Sequence, residues 1–205
     1  MGIVKGFYVL ALAGCMFVSG AVPALSAQKG GVCGRDRTCT APARPGAARY
    51  YYEKGVGLGT AGRFKDSIPM FKKAVRLDPK YAEAYDAWGI SLSSMGKTAE
   101  AIGRFRKAAS LDPKSVKVYY NWGLALNREK RYDEAIGKFK KAIQLDPRFV
   151  YAYNGWGLAL ASQCRFDEAI EKLKKVEELD PAAAADTEKI IKKLKDMKGL
   201  HPAMD

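Results

Sequence analysis

The chain has 205 residues and a formal net charge of +13, from 35 Lys and Arg against 22 Asp and Glu. That length holds one domain and an extension, and a basic surplus of this size draws nucleic acid, anionic lipid or acidic protein. One His and four Cys leave little material for metal or thiol chemistry.

Residues 1–27 read as an export signal or membrane anchor. Met1 to Lys5 is a short basic start, Gly6 to Val22 is an apolar run without a charge, and Pro23-Ala-Leu-Ser-Ala27 supplies a breaker and small residues before Gln28. Three readings fit this pattern. The first is cleavage after Ala27. The second is lipidation of Cys15, since Leu12-Ala-Gly-Cys15 resembles the lipobox of bacterial lipoproteins, although the apolar run continues through Met16-Phe17-Val18. The third is an uncleaved anchor, because the run approaches the ~20 residues that span a bilayer. All three predict an exported, periplasmic protein, tethered to the membrane in the last two cases.

Residues 28–47 form a flexible linker, broken by Gly30, Gly31, Gly34, Pro42, Pro45 and Gly46. Cys33 and Cys39 within it can close a small disulfide loop in an oxidising compartment. A redox pair is more often Cys-x-x-Cys, and no His stands near to complete a metal site.

From residue 48 a period of thirty-four residues takes over. Tyr85-Asp-Ala-Trp-Gly-Ile-Ser-Leu returns as Tyr119-Tyr-Asn-Trp-Gly-Leu-Ala-Leu and as Tyr153-Asn-Gly-Trp-Gly-Leu-Ala-Leu. Behind these stand Glu100-Ala-Ile, Glu134-Ala-Ile and Glu168-Ala-Ile, and each unit closes on Leu-Asp-Pro, at Pro79, Pro113, Pro147 and Pro181. The units are 48–81, 82–115, 116–149 and 150–183. Tyr85, Trp88 and Leu92 fall on one helical stripe, and Ala101, Phe105 and Ala108 make a small–large–small stripe to face it. Gly89 lets the partner helix come close. Asp112-Pro113 stops the second helix, because the residue before proline avoids helical angles. A lone hairpin cannot bury such stripes, so neighbouring units must stack.

Four units in register resemble the tetratricopeptide repeat family. The resemblance implies an all-α, right-handed α-α superhelix of helix-turn-helix repeats. Unit one is the weakest match and unit four carries Leu173 and Val176 in its second helix. Residues 184–198 are expected as a capping helix, with Ile190, Ile191 and Leu194 inward and lysines outward, ended by Gly199; 199–205 is a tail. Cys164, in the turn of unit four, is expected as an inert, partly buried thiol.

No constellation for catalysis or for a cofactor is present: His201 has no carboxylate or nucleophile beside it, and no Gly-rich phosphate loop follows a strand. The family resemblance implies instead a non-catalytic scaffold or adaptor of the bacterial cell envelope. First helices would line a concave groove for a protein or peptide partner. The inward rows, read off the period, include Tyr52, Asp86, Tyr120 and Asn154, then Val56, Ile90, Leu124 and Leu158, with Lys117, Tyr151 and Asn127 beside them. The aliphatic row is either groove floor or partly buried between first helices, since both share one period. Asp86, Ile90, Tyr151 and Gly155 depart from the basic pattern with which some relatives clamp a terminal carboxylate. An alternative role is a membrane-surface element. Lys72-Lys73, Arg106-Lys107, Lys140-Lys141 and Lys174-Lys175 recur on the convex side and suit anionic lipid or plain solvation. Nucleic acid is not expected, because no exposed aromatics alternate with the basic pairs, and the pattern fixes no oligomeric state. Stacking of the units makes Trp122 central: Trp122→Ala should lower stability by ~3–5 kcal/mol in urea unfolding.

Overall fold

The computed structural model describes residues 46–200, the side chain of Leu200 excepted. Residues 1–27 with Cys15, the Cys33 and Cys39 pair, most of the linker, and the tail from 201 onward lie outside the described residues. Within them the regular structure is helical. Four hairpins follow in order: α1 (Ala47–Thr60) with α2 (Phe64–Leu77), α3 (Ala82–Ser94) with α4 (Thr98–Leu111), α5 (Val116–Arg128) with α6 (Tyr132–Leu145), and α7 (Val150–Ser162) with α8 (Phe166–Leu179). A single 3-10 turn at Pro181–Ala183 leads into α9 (Ala184–Leu200).

Local chemistry explains each boundary. Every second helix starts behind a basic residue with an acid three positions on. The contacts are Arg63 to Asp66 at 2.7 Å, Lys97 to Glu100 at 3.6 Å, Arg131 to Glu134 at 2.7 Å and Arg165 to Glu168 at 2.6 Å. These pairs are exposed and add little stability, but they set an acid on the positive end of each helix dipole. Every second helix ends on an aspartate whose Oδ1 accepts a backbone N–H two residues on. Lys80, Lys114, Arg148 and Ala182 donate to Asp78, Asp112, Asp146 and Asp180 at 2.9, 3.1, 2.9 and 3.1 Å. The intervening proline has no N–H to continue the helix.

The turn inside each hairpin passes through one left-handed residue: Gly62 (φ 74°), Gly96 (77°), Lys130 (58°) and Cys164 (61°). Cys164 is therefore not the partly buried thiol expected from the sequence. A left-handed turn residue points its side chain away from both helices, and Cys164 is exposed. The cap also differs at its end: α9 runs through Gly199 to Leu200, since Gly199 does not adopt the left-handed conformation that stops a helix.

The core is the set of facing stripes. Phe71, Phe105, Phe139 and Leu173 share the inward stripe of the second helices with Ala74, Ala108, Ala142 and Val176, all nearly devoid of solvent exposure. Beneath each large residue sits a glycine of the first helix. A Cβ on Gly89 or Gly123 would lie 2.6 Å from Cε1 of Phe105 or Phe139. Where unit one has Ser67 in place of alanine, its buried hydroxyl is 2.9 Å from that of Ser91 and donates to the Phe64 carbonyl at 2.9 Å. Trp88 is buried, and Trp122 and Trp156 are half-buried. Each indole lies beneath cationic side chains. Lys72 and Arg104 cover Trp88 at 5.6 and 4.0 Å, Lys138 covers Trp122 at 3.9 Å, and Lys140 and Lys172 cover Trp156 at 5.0 and 4.6 Å. α9 closes the array by burying Ile191 and Leu194 against the last units. At the other end Tyr50 is exposed, at the register where Ala84, Val118 and Ala152 are buried against a preceding unit.

Two glycines of one hairpin should respond oppositely to alanine. Gly123→Ala drives a methyl into the Phe139 ring and should destabilise by about 1–3 kcal/mol. A Cβ on Gly137, on the exposed side of α6, would have nothing within 4 Å of it; Gly137→Ala should stabilise by about 0.5–1 kcal/mol. Urea midpoints of the two variants check the pair.

Candidate functional site

Curvature follows from which helices touch. First helices of successive units contact one another, α1 with α3, α3 with α5 and α5 with α7, whereas second helices make no comparable contact with their counterparts. The first helices therefore form the inner wall. Side chains tie this wall together across units. Asn121 Nδ2 donates to both oxygens of Asp86, at 3.1 and 3.2 Å, and Arg128 donates to the Ser93 carbonyl and hydroxyl at 3.1 and 2.9 Å.

The residues expected inward all stand on first helices, and they do different jobs. Val56 and Leu124 are half-buried and packed against the core, while Ile90 and Leu158 are exposed. The aliphatic row is thus partly structural and partly open. Tyr120 is half-buried in an aromatic group, with Phe139, Phe149 and Tyr151 at ring-centre distances of 6.1, 5.4 and 6.1 Å. Tyr52 similarly meets Tyr81 at 5.0 Å. Tyr151 is 62% exposed, more than Ile90 or Leu158. Asn154 is half-buried, Lys117 is exposed, and the Oδ1 of half-buried Asn127 is enclosed without a hydrogen-bond partner.

Asp86 is the electrostatic centre. It is half-buried, and loss of water pushes its carboxyl up to about 6 from the usual 3.8; the Asn121 bond and nearby Lys117 pull it down, and Glu83 adds to the rise. Among the described residues no cationic group lies within ion-pair distance of it.

Two groups of contacts escape a residue-by-residue reading of the period. The Asp86–Asn121 and Ser93–Arg128 bonds link residues one period plus one apart. The aromatic pairs join the fifth position of a unit to its last, as Tyr52 to Tyr81 and Tyr120 to Phe149. The signal is in the sequence: units one and three carry aromatics at both positions, whereas units two and four carry Asp86 with Ser115 and Asn154 with Ala183. On the outer wall, Lys72 and Lys140 lie over indoles, Lys73 lies over the Tyr51 ring at 5.1 Å, Lys141 donates to Gln144 at 3.0 Å and Lys175 pairs with Glu178 at 2.5 Å. Much of the convex stripe is therefore engaged with the protein's own surface. Among the described residues there is no cluster of His, Cys, Asp and Glu that could hold a metal ion, and no helix long and apolar enough to cross a membrane.

Stacked two-helix units with an inner wall of first helices define a helical-repeat scaffold for protein interaction. The chain belongs to the tetratricopeptide repeat family: family profiles described as tetratricopeptide repeats match residues 48–81, 87–148 and 150–183. Its structure is similar to that of MamA, with 30% identity, a TM-score of 0.64, and coverage of 70% of this chain and 84% of that one. It is also similar to YrrB, described as a TPR protein with an unusual peptide-binding site, at 23% identity, a TM-score of 0.63, and coverage of 77% and 81% of the two chains. At that identity the likeness speaks for the fold alone. An uncharacterised protein of Methanocaldococcus jannaschii is 42% identical over 38 residues, which span 18% of this chain and 44% of that protein. Tetratricopeptide repeats are typically non-catalytic interaction modules, and the right-handed α-α superhelix expected from the repeats is the observed fold.

The elevated carboxyl has a thermodynamic consequence. Between pH 3.8 and about 6 the folded protein holds a proton on Asp86 that the unfolded chain has lost, so stability falls as pH rises through that window. Asp86→Asn keeps an acceptor for Asn121 and removes the titration. It should be more stable than the parent by roughly 1–3 kcal/mol near neutral pH, with the gain vanishing near pH 4. Urea unfolding across that range measures both.

Proposed function

We propose that this chain is an adaptor of the bacterial cell envelope, exported by its first 27 residues, whose inner groove holds a segment of another protein. The observation that carries the binding reading is the apolar surface left open on the inner wall: Ile90 and Leu158 at 39% and 40% exposure, and Tyr151 at 62%. Large apolar side chains left open on a concave face favour an occupant that removes them from water. Asn154 stands on the same helix as Tyr151 and Leu158 and supplies an amide for a partner backbone. Apolar anchors with interspersed polar groups suit an extended segment or an amphipathic helix. The envelope placement is supported by the basic start, uncharged apolar run and small-residue exit of residues 1–27.

Tyr151 and Leu158 are exposed members of the wall, so Tyr151→Ala with Leu158→Ala should lower the melting temperature only slightly, by the loss of the Tyr151 ring contacts with Tyr120 and Phe149. Crosslinking in intact cells should then recover the partner at least tenfold less well, since removal of an interface anchor commonly costs about 2 kcal/mol or more. Unchanged recovery would rule the groove out. Tyr120→Ala with Asn154→Ala should also abolish recovery, but with a lowered melting temperature, because Tyr120 packs on Phe139. Mass spectrometry of the mature protein tests the placement: a chain beginning at Gln28 or lipidated at Cys15 is expected, and an intact Met1 in a cytoplasmic fraction overturns it.

A further inference from the structure

We infer that the groove, on the reading just given, recognises a lysine or arginine side chain of its partner, with the charged end on Asp86 and the aliphatic stem along Ile90. Asp86 stands on the inner wall with one hydrogen-bond donor, the Asn121 amide, shared between its two oxygens. A carboxylate offers about four acceptor sites, so most of its capacity is unfilled. Lys117 is close enough to act on it but forms no ion pair with it, and Asn121 is neutral. A half-buried carboxylate without a cation is costly, and a partner that supplies one recovers that cost on binding.

The neighbourhood selects the shape of the cation. At the register where Tyr81 covers Tyr52 and Phe149 covers Tyr120, unit two has Ser115, so the aromatic lid of units one and three has no counterpart over Asp86. Ile90 lies one helical turn on and is 39% exposed. A long apolar stem with a charged tip matches that pair, as lysine and arginine side chains do. Tyr52 and Tyr120 occupy the same row in the flanking units, where their rings are taken up by Tyr81 and Phe149. The groups that face Asp86 are Tyr52 on α1, Glu83 on its own helix, and Lys117 and Asn121 on α5. α2 and α4 meet α3 on its other side, through Phe71, Trp88, Leu92 and Phe105, with Lys72 and Arg104 held over Trp88. The inference runs against the bulk charge: a chain at +13 repels basic peptides in general, so a basic preference has to come from a specific contact.

The test is a selection of random peptides of about 12 residues, displayed on phage, near neutral pH. The full chain in mild detergent, Asp86→Asn, and the Tyr151→Ala with Leu158→Ala variant are used in parallel. Peptides from the parent chain should be rich in Lys or Arg beside apolar residues. Selection on Asp86→Asn should lose the basic enrichment and keep the apolar one. A selected peptide should bind the parent about tenfold more weakly at pH 5 than near neutrality, and bind Asp86→Asn equally at both, because at pH 5 only about a tenth of Asp86 is ionised when its pKa is about 6. Peptides that need Tyr151 and Leu158 but show no basic enrichment, or an enrichment that survives Asp86→Asn, overturn the inference and leave the groove standing. Binders indifferent to the Tyr151 and Leu158 substitutions, or no binders, overturn the groove reading itself.

Discussion

The geometry of the array rests on an aromatic ring lying against bare backbone. In each of the first three hairpins a phenylalanine of the second helix occupies the space where the first helix would otherwise carry a Cβ: Phe71 on Gly55, Phe105 on Gly89 and Phe139 on Gly123. Helix separation depends on what stands at the contact, and here it is one ring thickness with nothing beneath it. Phe139 does this twice, because a Cβ on Gly155 of the next unit would lie 2.8 Å from its Cε1. One ring therefore sets both the spacing inside unit three and the approach of unit four. In unit four Leu173 replaces the ring, and a Cβ on Gly157 would stand 3.2 Å from its Cγ. That looser contact belongs to the unit that is followed by a cap instead of another repeat.

Outside this contact the tryptophans do a related job. Each indole spans the boundary between helices, and basic side chains from the second helices lie on its face. The indole N–H groups of all three are enclosed without a hydrogen-bond partner, as is Nε of Arg104, so the rings contribute area and quadrupole, not hydrogen bonding. A stem that lies along a ring also keeps its ammonium group near water. Part of the chain's basic surplus is thereby explained by packing and solubility, without a nucleic acid or a lipid to account for it.

How much of this is readable without coordinates depends on the kind of contact. Contacts that repeat at thirty-four residues are legible, since each copy corroborates the others: the Leu-Asp-Pro stops and the facing stripes. Contacts made once, or across units, are not. The Asp86–Asn121 bond joins residues on different units, and neither has a counterpart of its own type elsewhere in its row. Period alone cannot divide Val56 and Leu124 from Ile90 and Leu158 either, because their exposure depends on the neighbours above and below. Cys164 and Gly199 misled for a local reason. Whether a residue takes the left-handed conformation is set by the turn it sits in: the hairpin imposes it on Cys164, and α9 denies it to Gly199.

The four units also report on themselves by where they agree. They share Gly at the ring contact, Leu at the end of the first helix and Asp-Pro at the stop, where packing or backbone geometry permits little else. They diverge on the inner wall, where Tyr, Asp, Tyr and Asn follow one another at a single register. A fold-determined position and a freely chosen one can thus be told apart within one chain. Asp86 is the sharpest case. At neutral pH its carboxylate works against folding, while tyrosine or asparagine serves at the same register in the other units. A sequence that meets its local rules nearly everywhere tends to break them where something other than stability is at stake. At Asp86 the cost of a half-buried carboxylate without a cation is what a cationic occupant would recover.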